Sequence, residues 1–282
     1  SGTLDILPTD KVGHDHRAKG LLHSTGERYW RFAETGEAFL KCGPDSPENF
    51  LAFADFDGTY SHHPRKQFLK TWEPHLKDWR EGDPTWRGGK GKGIIGALNY
   101  IAGEGMNVVY FLTQNINGDG QDVWPYTHYD ERYRFDCSKL DQWEIVFQHM
   151  DQLGVVLHVI LQETENDHLH DGGDLGPERK IYLRELVARF GHHPGLVWNL
   201  GEENTQTTAQ QKAMATYLRS IDPYNHPIVL HTHSNAWEKI YGPLLGFEAL
   251  DGLSFQTREH LEVIHPQTIK WTTRSAIAGQ PW

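Results

Sequence analysis

The densest concentration of potential chemistry in this chain is Trp198-Asn199-Leu200-Gly201-Glu202-Glu203-Asn204, where an apolar run ends in two adjacent carboxylates. The preceding Gly195-Leu196-Val197-Trp198 has the length and composition of a buried parallel strand. Acids just past the C-terminal end of such a strand lie where barrel and open α/β enzymes gather their reactive groups. A second acidic strand end, Gln162-Glu163, follows the apolar run Val155–Leu161. Adjacent strands lie about 4.8 Å apart, so both sets of side chains can converge on one pocket. Crowded carboxyls raise at least one pKa, which a general acid working near neutral pH requires. A carboxylic acid paired with a second carboxylate is the minimal kit for breaking a glycosidic bond. The plain alternative is that Glu202 and Glu203 simply open a solvated loop.

The elements that must position these acids alternate strand and helix. Residues 15–36 read as a hairpin, with turns at Ser24-Thr25-Gly26-Glu27 and Glu34-Thr35-Gly36. Glu37–Cys42 reads as a first short strand. A helix over 93–104 closed by Gly105 leads to a strand at Met106–Leu112, ending in Thr113-Gln114-Asn115. Lys139–Leu153 is an amphipathic helix stopped by Gly154, and Val155–Leu161 a strand. Pro177–Phe190 is a helix with Pro at its start and Gly191 after it. The Trp198 strand follows, then a helix Thr208–Ser220 and the strand Pro227–Leu230, ending in His231-Thr232-His233. The last strand is Leu250–Phe255, ending in Gln256-Thr257-Arg258.

Six such steps, each strand ending in polar side chains, predict an α/β (β/α)8 barrel. An open doubly wound sheet is the alternative, but no glycine-rich phosphate loop follows the first strand. Ala276–Trp282 reads as the approach to a seventh strand, so the barrel is expected to be truncated before strands seven and eight. The expected organisation is an N-terminal β segment over 1–36 and an incomplete catalytic barrel over 37–282.

The 282 residues are enough for one large core, and a net charge of −11 argues against a nucleic-acid partner. Ten Trp, 11 Tyr and 12 Phe supply planar faces of the kind on which sugars stack. Cys42 and Cys137 make neither a disulfide framework nor a zinc site. No run approaches a membrane span, so no membrane partner is expected. The chain opens Ser-Gly-Thr without Met and without a signal-peptide pattern, which leaves an exported protein open.

Several stretches together resemble clan-A-type (β/α)8 glycoside hydrolases, in particular bacterial polysaccharide-degrading barrels that follow an N-terminal β-sandwich. They are Phe39–Phe50, Arg134-Phe135-Asp136, Leu140-Asp141-Gln142-Trp143, Glu163–Asp167, Arg189–Pro194 and Trp198–Asn204. The resemblance implies a polysaccharide or oligosaccharide substrate, a retaining mechanism, and secretion or a periplasmic location. In that clan the fourth strand ends in Trp-x-Leu-x-Asn-Glu, with the Glu as acid/base. Trp198 and Leu200 match, and Glu203 takes the acid/base position. Glu202 stands where the usual Asn contacts the sugar 2-hydroxyl, leaving Asn199 or Asn204 as substitutes. The clan's nucleophile, a Glu ending strand seven, lies beyond the matched stretches; Glu163, Glu259 and Glu262 are the fallbacks within the chain. The expected substrate-binding residues are Asn115, Trp124, His128, Tyr129, Glu163, Glu202, His231, His233, Gln256 and Arg258, with Trp124 as a stacking platform.

Between Phe56 and Lys92 a long excursion carries Arg65, Lys66, Lys70, Lys77, Arg80, Arg87, Lys90 and Lys92 among Trp72, Trp79 and Trp86. Rings for stacking and cations for sulfate or carboxylate groups suit an anionic glycan. An ordinary solvated loop is the alternative, since Glu73, Asp78, Glu81 and Asp83 offset the charge. Asp55-Phe56-Asp57-Gly58-Thr59 mimics the nucleophile loop of haloacid-dehalogenase-type phosphatases, a competing enzyme class. A non-catalytic carbohydrate-binding barrel is the competing non-enzyme. Asn115–Asp122 resembles the start of a calcium loop but lacks the closing Glu, because Tyr126 falls at the twelfth position. It reads as a substrate-side turn, and no metal or cofactor is expected. His231 and His233 share one strand face and read as sugar hydrogen-bonders, whereas His192-His193-Pro194 reads as structural.

Overall fold

A computed structural model describes residues 8–27, 29–45, 48–62, 68–257 and 261–282. In chain order, the four-residue helix α1 (His16–Lys19) leads into the antiparallel hairpin β1 (Leu22–His23) and β2 (Arg31–Phe32). After an excursion holding a 3-10 turn, Glu73–Asp78, come α2 (Lys92–Gly103), β3 (Val108–Leu112), α3 (Cys137–Leu153) and β4 (Val156–Ile160). Then follow α4 (Pro177–Phe190), β5 (Leu196–Asn199), α5 (Thr208–Ile221), β6 (Ile228–Thr232), the short α6 (Trp237–Tyr241), β7 (Gly252–Phe255) and α7 (Leu261–Ile277). β3 to β7 form one all-parallel sheet in sequential order, with a helix between successive strands. This is the (β/α)8 barrel architecture over its second to sixth strand positions.

The helix boundaries follow from local chemistry. Asp136 caps α3 by accepting from the Lys139 N–H, and Gly154 ends it in the left-handed conformation at φ 71°. α5 starts on a reciprocal capping box between Thr207 and Gln210. β3 to β6 are buried on both faces, as central parallel strands are, while β7 is half-buried beyond Gly252. Val109, Phe111, Leu157, Val159, Trp198, Leu200 and Leu230 pack outward against the helices in the main core. Val108, Val156, Val197 and Val229 face a second cluster at the N-terminal end of the strands, closed from below by Leu22 and Phe32 of the hairpin.

The expected first strand, Glu37–Cys42, does not form. Residues 39–44 run extended without a strand ladder, joined to β3 by single contacts: Cys42 N–H to Asn107 Oδ1 at 2.8 Å, Asn107 N–H to Cys42 O at 2.8 Å, and a parallel bridge from Asp45 to Tyr110. Gly43 permits the approach, since a Cβ there would lie 1.9 Å from the Val108 carbonyl oxygen. Gly-Pro at 43–44 removes one donor and interrupts the ladder, leaving five hydrogen-bonded strands where six were expected. Ala276 and Ile277 end helix α7 and are not strand-like, and residues 278–282 follow it without regular structure. With no doubly wound sheet, the phosphatase alternative loses its scaffold. Asp55 accepts from the Gly91 N–H at 2.8 Å, and Asp57 is held by Arg87 and by Ser138 Oγ at 2.7 Å.

Candidate active site

The segment after β5 is stitched between its neighbours' strand ends. Glu202 N–H donates to Gln162 O at 2.8 Å, and Asn204 N–H to His231 O at 3.2 Å. Between them Glu203 adopts a left-handed backbone at φ 46°, a conformation that costs a non-glycine residue about 1–2 kcal/mol. Such strain persists only where the surroundings enforce it, and it concentrates at functional sites. The Glu203 side chain is held by a hydrogen bond from Gln256 Nε2 at 2.7 Å, and His233 Nδ1 lies 2.9 Å from the same oxygen.

Glu202 turns the other way. It borders a cavity of about 120 Å³ shared with Lys41, Asp45, Tyr110, His231 and Gln256. Its Oε1 lies 4.0 Å from His231 Nδ1, which in turn meets the Tyr110 hydroxyl at 2.9 Å. Its Oε2 is buried without a hydrogen-bond partner. Burial, then the charges of Glu48, Asp45 and Glu203, push the Glu202 carboxyl up to about 9. Burial also drives His231 down to about 3, with the charges of Lys41 and His233 adding to it, so the imidazole is neutral.

Glu163 completes the group from the end of β4. Its Oε1 accepts from the Asp119 N–H at 3.1 Å. Burial, reinforced by Glu165, Glu202 and Glu48, raises its carboxyl to about 9 as well. Oxygens of Glu48, Glu163 and Glu202 all lie within 4.8 Å of one another. Behind them the fully buried Arg179 fixes Gln162 Oε1 and the carbonyls of Asp167, at 2.7 Å, and His170, at 3.3 Å. That framework holds the end of β4 rigid.

Of the residues expected from sequence, Glu163, Glu202, Glu203, His231, His233 and Gln256 are brought together. Asn115 lies beneath them, fully buried, with its Nδ2 donating to the carbonyls of Asp119 at 2.5 Å and Gln121 at 3.1 Å. Trp124 is only 2% exposed, packed under Tyr60 and the Lys139 ammonium, so its ring offers no open stacking face. His128 pairs with Asp130 at the surface, and Tyr129 stacks on His62. Arg258 and Glu259 lie outside the described residues, as do Arg65 and Lys66. Glu262 sits exposed on α7. Asn199 is tied to His158 at 3.1 Å inside the barrel, and Asn204 accepts from Gln206 N–H and Gln211 Nε2, so both are engaged in the scaffold. Trp72 and Trp79 pack against the core and Trp86 stacks on Phe56, so the rings of the basic excursion face inward.

Sequence reasoning passed over Tyr110, Asp45, Glu48 and Lys41. Tyr110 alone carried a usable signal, a polar tip in an otherwise apolar strand. Lys41 lies in the expected strand Glu37–Cys42, and Asp45 and Glu48 follow it beyond Gly43-Pro44, where the sequence shows no pattern that marks them.

No sequence-family profile matches the chain, and no curated protein sequence does. Solved structures match it in fold. A glycoside hydrolase family 5 protein from Bacteroides vulgatus ATCC 8482 superposes with a TM-score of 0.54 at 17% identity, over 89% of this chain and 49% of that one. A glycoside hydrolase family 5 mannosidase from Rhizomucor miehei superposes with a TM-score of 0.62 at 10% identity, over 93% of this chain and 72% of that one. A second structure of that mannosidase, in complex with mannosyl-fructose, gives 0.60 at 8% identity, over 95% and 72%. The chain spans about half the length of the first matched structures, 48%, 49% and 47% of theirs. The fold is therefore that of the (β/α)8 glycoside hydrolase barrels, represented here by a part of their length.

Proposed function

We propose that the protein is a glycoside hydrolase acting on a polysaccharide or its oligosaccharides, with Glu203 as the acid/base. One observation carries the reading: at the end of the fourth barrel strand, Glu203 is held in a strained backbone conformation between Gln256 and His233. In a retaining reaction Glu203 protonates the leaving oxygen while a second carboxylate, about 5–5.5 Å away, attacks the anomeric carbon. Glu203 then takes a proton from the water that releases the product. His233 and Gln256 orient the carboxyl, and Tyr110, His231 and Glu202 offer hydrogen bonds to the sugar. The nucleophile is assigned to the seventh strand position by resemblance alone.

A second reading is favoured by the cavity beside Glu202: that Glu202, not Glu203, delivers the proton. The basic residues of the excursion support an anionic glycan through charge only, because the tryptophans between them pack inward. Since polymeric glycans do not cross membranes, an exported location fits this substrate class.

The test is reducing-sugar release from neutral and sulfated polysaccharides by the full-length protein, beside Glu203→Gln and Glu202→Gln. A loss of about 10²–10⁴-fold in kcat for Glu203→Gln, with an intact fold, is expected. Unchanged activity in that variant and loss in Glu202→Gln would move the acid/base to Glu202. Glycan binding without release by the full-length protein would make the barrel a carbohydrate-binding module.

A further inference from the structure

We propose that Glu48, Glu163 and Glu202, together with the amide oxygen of Asn115, form a calcium site at the floor of the cleft. Three carboxylates gather their oxygens within 4.8 Å of one another, from the loop after the first segment and from the ends of β4 and β5. An acidic cluster alone would carry no such conclusion. The fourth group does, because Asn115 is fully buried and its Oδ1 has no hydrogen-bond partner.

That oxygen is aimed into the cluster. A Cβ placed on Gly118 would lie 1.3 Å from Glu163 Oε1 and 2.2 Å from Asn115 Oδ1. Measured from one point, those distances put the two oxygens no more than 3.5 Å apart. The Asn115 amide cannot be turned to relieve the contact, because its Nδ2 already donates to the carbonyls of Asp119 and Gln121. Two acceptors therefore face each other in a buried space with nothing between them to donate. Either a proton or a cation must stand there.

The donor set is all oxygen, which selects a hard cation over zinc or copper. Calcium binds oxygens at about 2.3–2.6 Å, so ligands on opposite sides of one ion are separated by about the span of this cluster. Among the described residues neither Glu163 nor Glu202 pairs with Lys or Arg, and Glu202 Oε2 is a second buried, unpartnered oxygen. The site also resolves the incomplete calcium-loop pattern of Asn115–Asp122. The acidic ligand missing at the twelfth position of the sequence comes instead from Glu163, brought in by the neighbouring strand. An ion there would pin three strand ends together beside Glu203.

The experiment is calorimetric titration of the chelator-treated, full-length protein with CaCl2 at pH 7.5, with thermal unfolding under the same conditions and KCl as the ionic-strength control. One saturable site is expected, with a rise in Tm of about 5 °C at a hundredfold excess over Kd. Glu163→Gln should weaken binding at least about tenfold, as should Glu202→Gln, while the surface variant Glu238→Gln binds as the wild type does. Absence of saturable heat and of a Tm shift in the wild type would overturn the site, as would unaltered affinity in both cleft variants. An equal or larger response to MgCl2 would overturn the choice of calcium. Because the readout is binding, it stands or falls apart from the hydrolase reading.

Discussion

At the scale of single residues, charge is handled in two opposite ways at the two ends of the barrel. At the C-terminal ends of the strands Glu48, Glu163 and Glu202 crowd their carboxyls together, and among the described residues neither Glu163 nor Glu202 pairs with Lys or Arg. At the other end, His193 is fully buried between Asp151 Oδ2 at 2.6 Å and Glu144 Oε2 at 3.1 Å. Burial opposes its charge, but the hydrogen bonds to Asp151 and Glu144 outweigh that and raise its pKa to about 9. The ordinary histidine value is near 6.5. A base whose folded pKa is raised contributes stability that is complete below the unfolded value and lost as pH climbs through the folded one. The His193 contribution should thus be full below about pH 6.5 and gone above about pH 9, with a size of roughly 3 kcal/mol. Urea unfolding of wild type and His193→Gln at pH 6 and pH 9.5 measures it. The gap between them should shrink by more than half; a constant gap would mean the buried histidine is never charged. The structural role of His192-His193-Pro194 was legible because it precedes a strand. The ion pairs were not, since Asp151 and Glu144 lie 42 and 49 residues away in sequence.

At the scale of elements, what was legible was what local chemistry decides. Pro177 and Gly154 mark helix ends by their own backbone preferences, and the helices formed within a residue or two of where they were expected, with Asp136 and Thr207 supplying the caps of α3 and α5. The composition of Glu37–Cys42 suits a strand, yet Gly43 and Pro44 immediately after it deny the segment a ladder. Helix α7 escaped notice because Pro266 interrupts its pattern. The turn Asn115–Asp122 shows how an element can look like a loop in sequence and act as a brace. Gly118 there has an ordinary negative-side backbone and is required by space alone, given the 1.3 Å clearance to Glu163 Oε1. Gly118→Ala should therefore displace Glu163, cost about 1–3 kcal/mol in urea unfolding, and weaken calcium binding. A variant as stable as wild type would show that the turn yields freely and does not set the position of Glu163.

At the scale of the whole molecule, the sheet must be closed below as well as furnished above. β3 to β6 present Val108, Val156, Val197 and Val229 at their N-terminal ends, and Leu22 and Phe32 of the hairpin cover them, with Trp30 and Phe39 packed alongside. Phe32, 3% exposed, stacks on the His16 ring at 5.1 Å and meets Phe39 edge-on at 6.4 Å. His16 in turn lies 3.4 Å from Asp151, which also holds His193. Hairpin, barrel floor and the buried ion pairs are in this way one continuous piece of packing. Leucine-sized and larger side chains removed from such a site cost about 3–5 kcal/mol, because the surroundings refill the space only in part. Phe32→Ala should lower the midpoint of thermal unfolding of the entire molecule in a single transition, read by near-ultraviolet circular dichroism of the core tryptophans Trp143 and Trp198. A hairpin that behaved as an independent module would give the opposite pattern. The barrel signal would then melt at its wild-type midpoint, and residues 37–282 would be shown to hold their core without the segment before them.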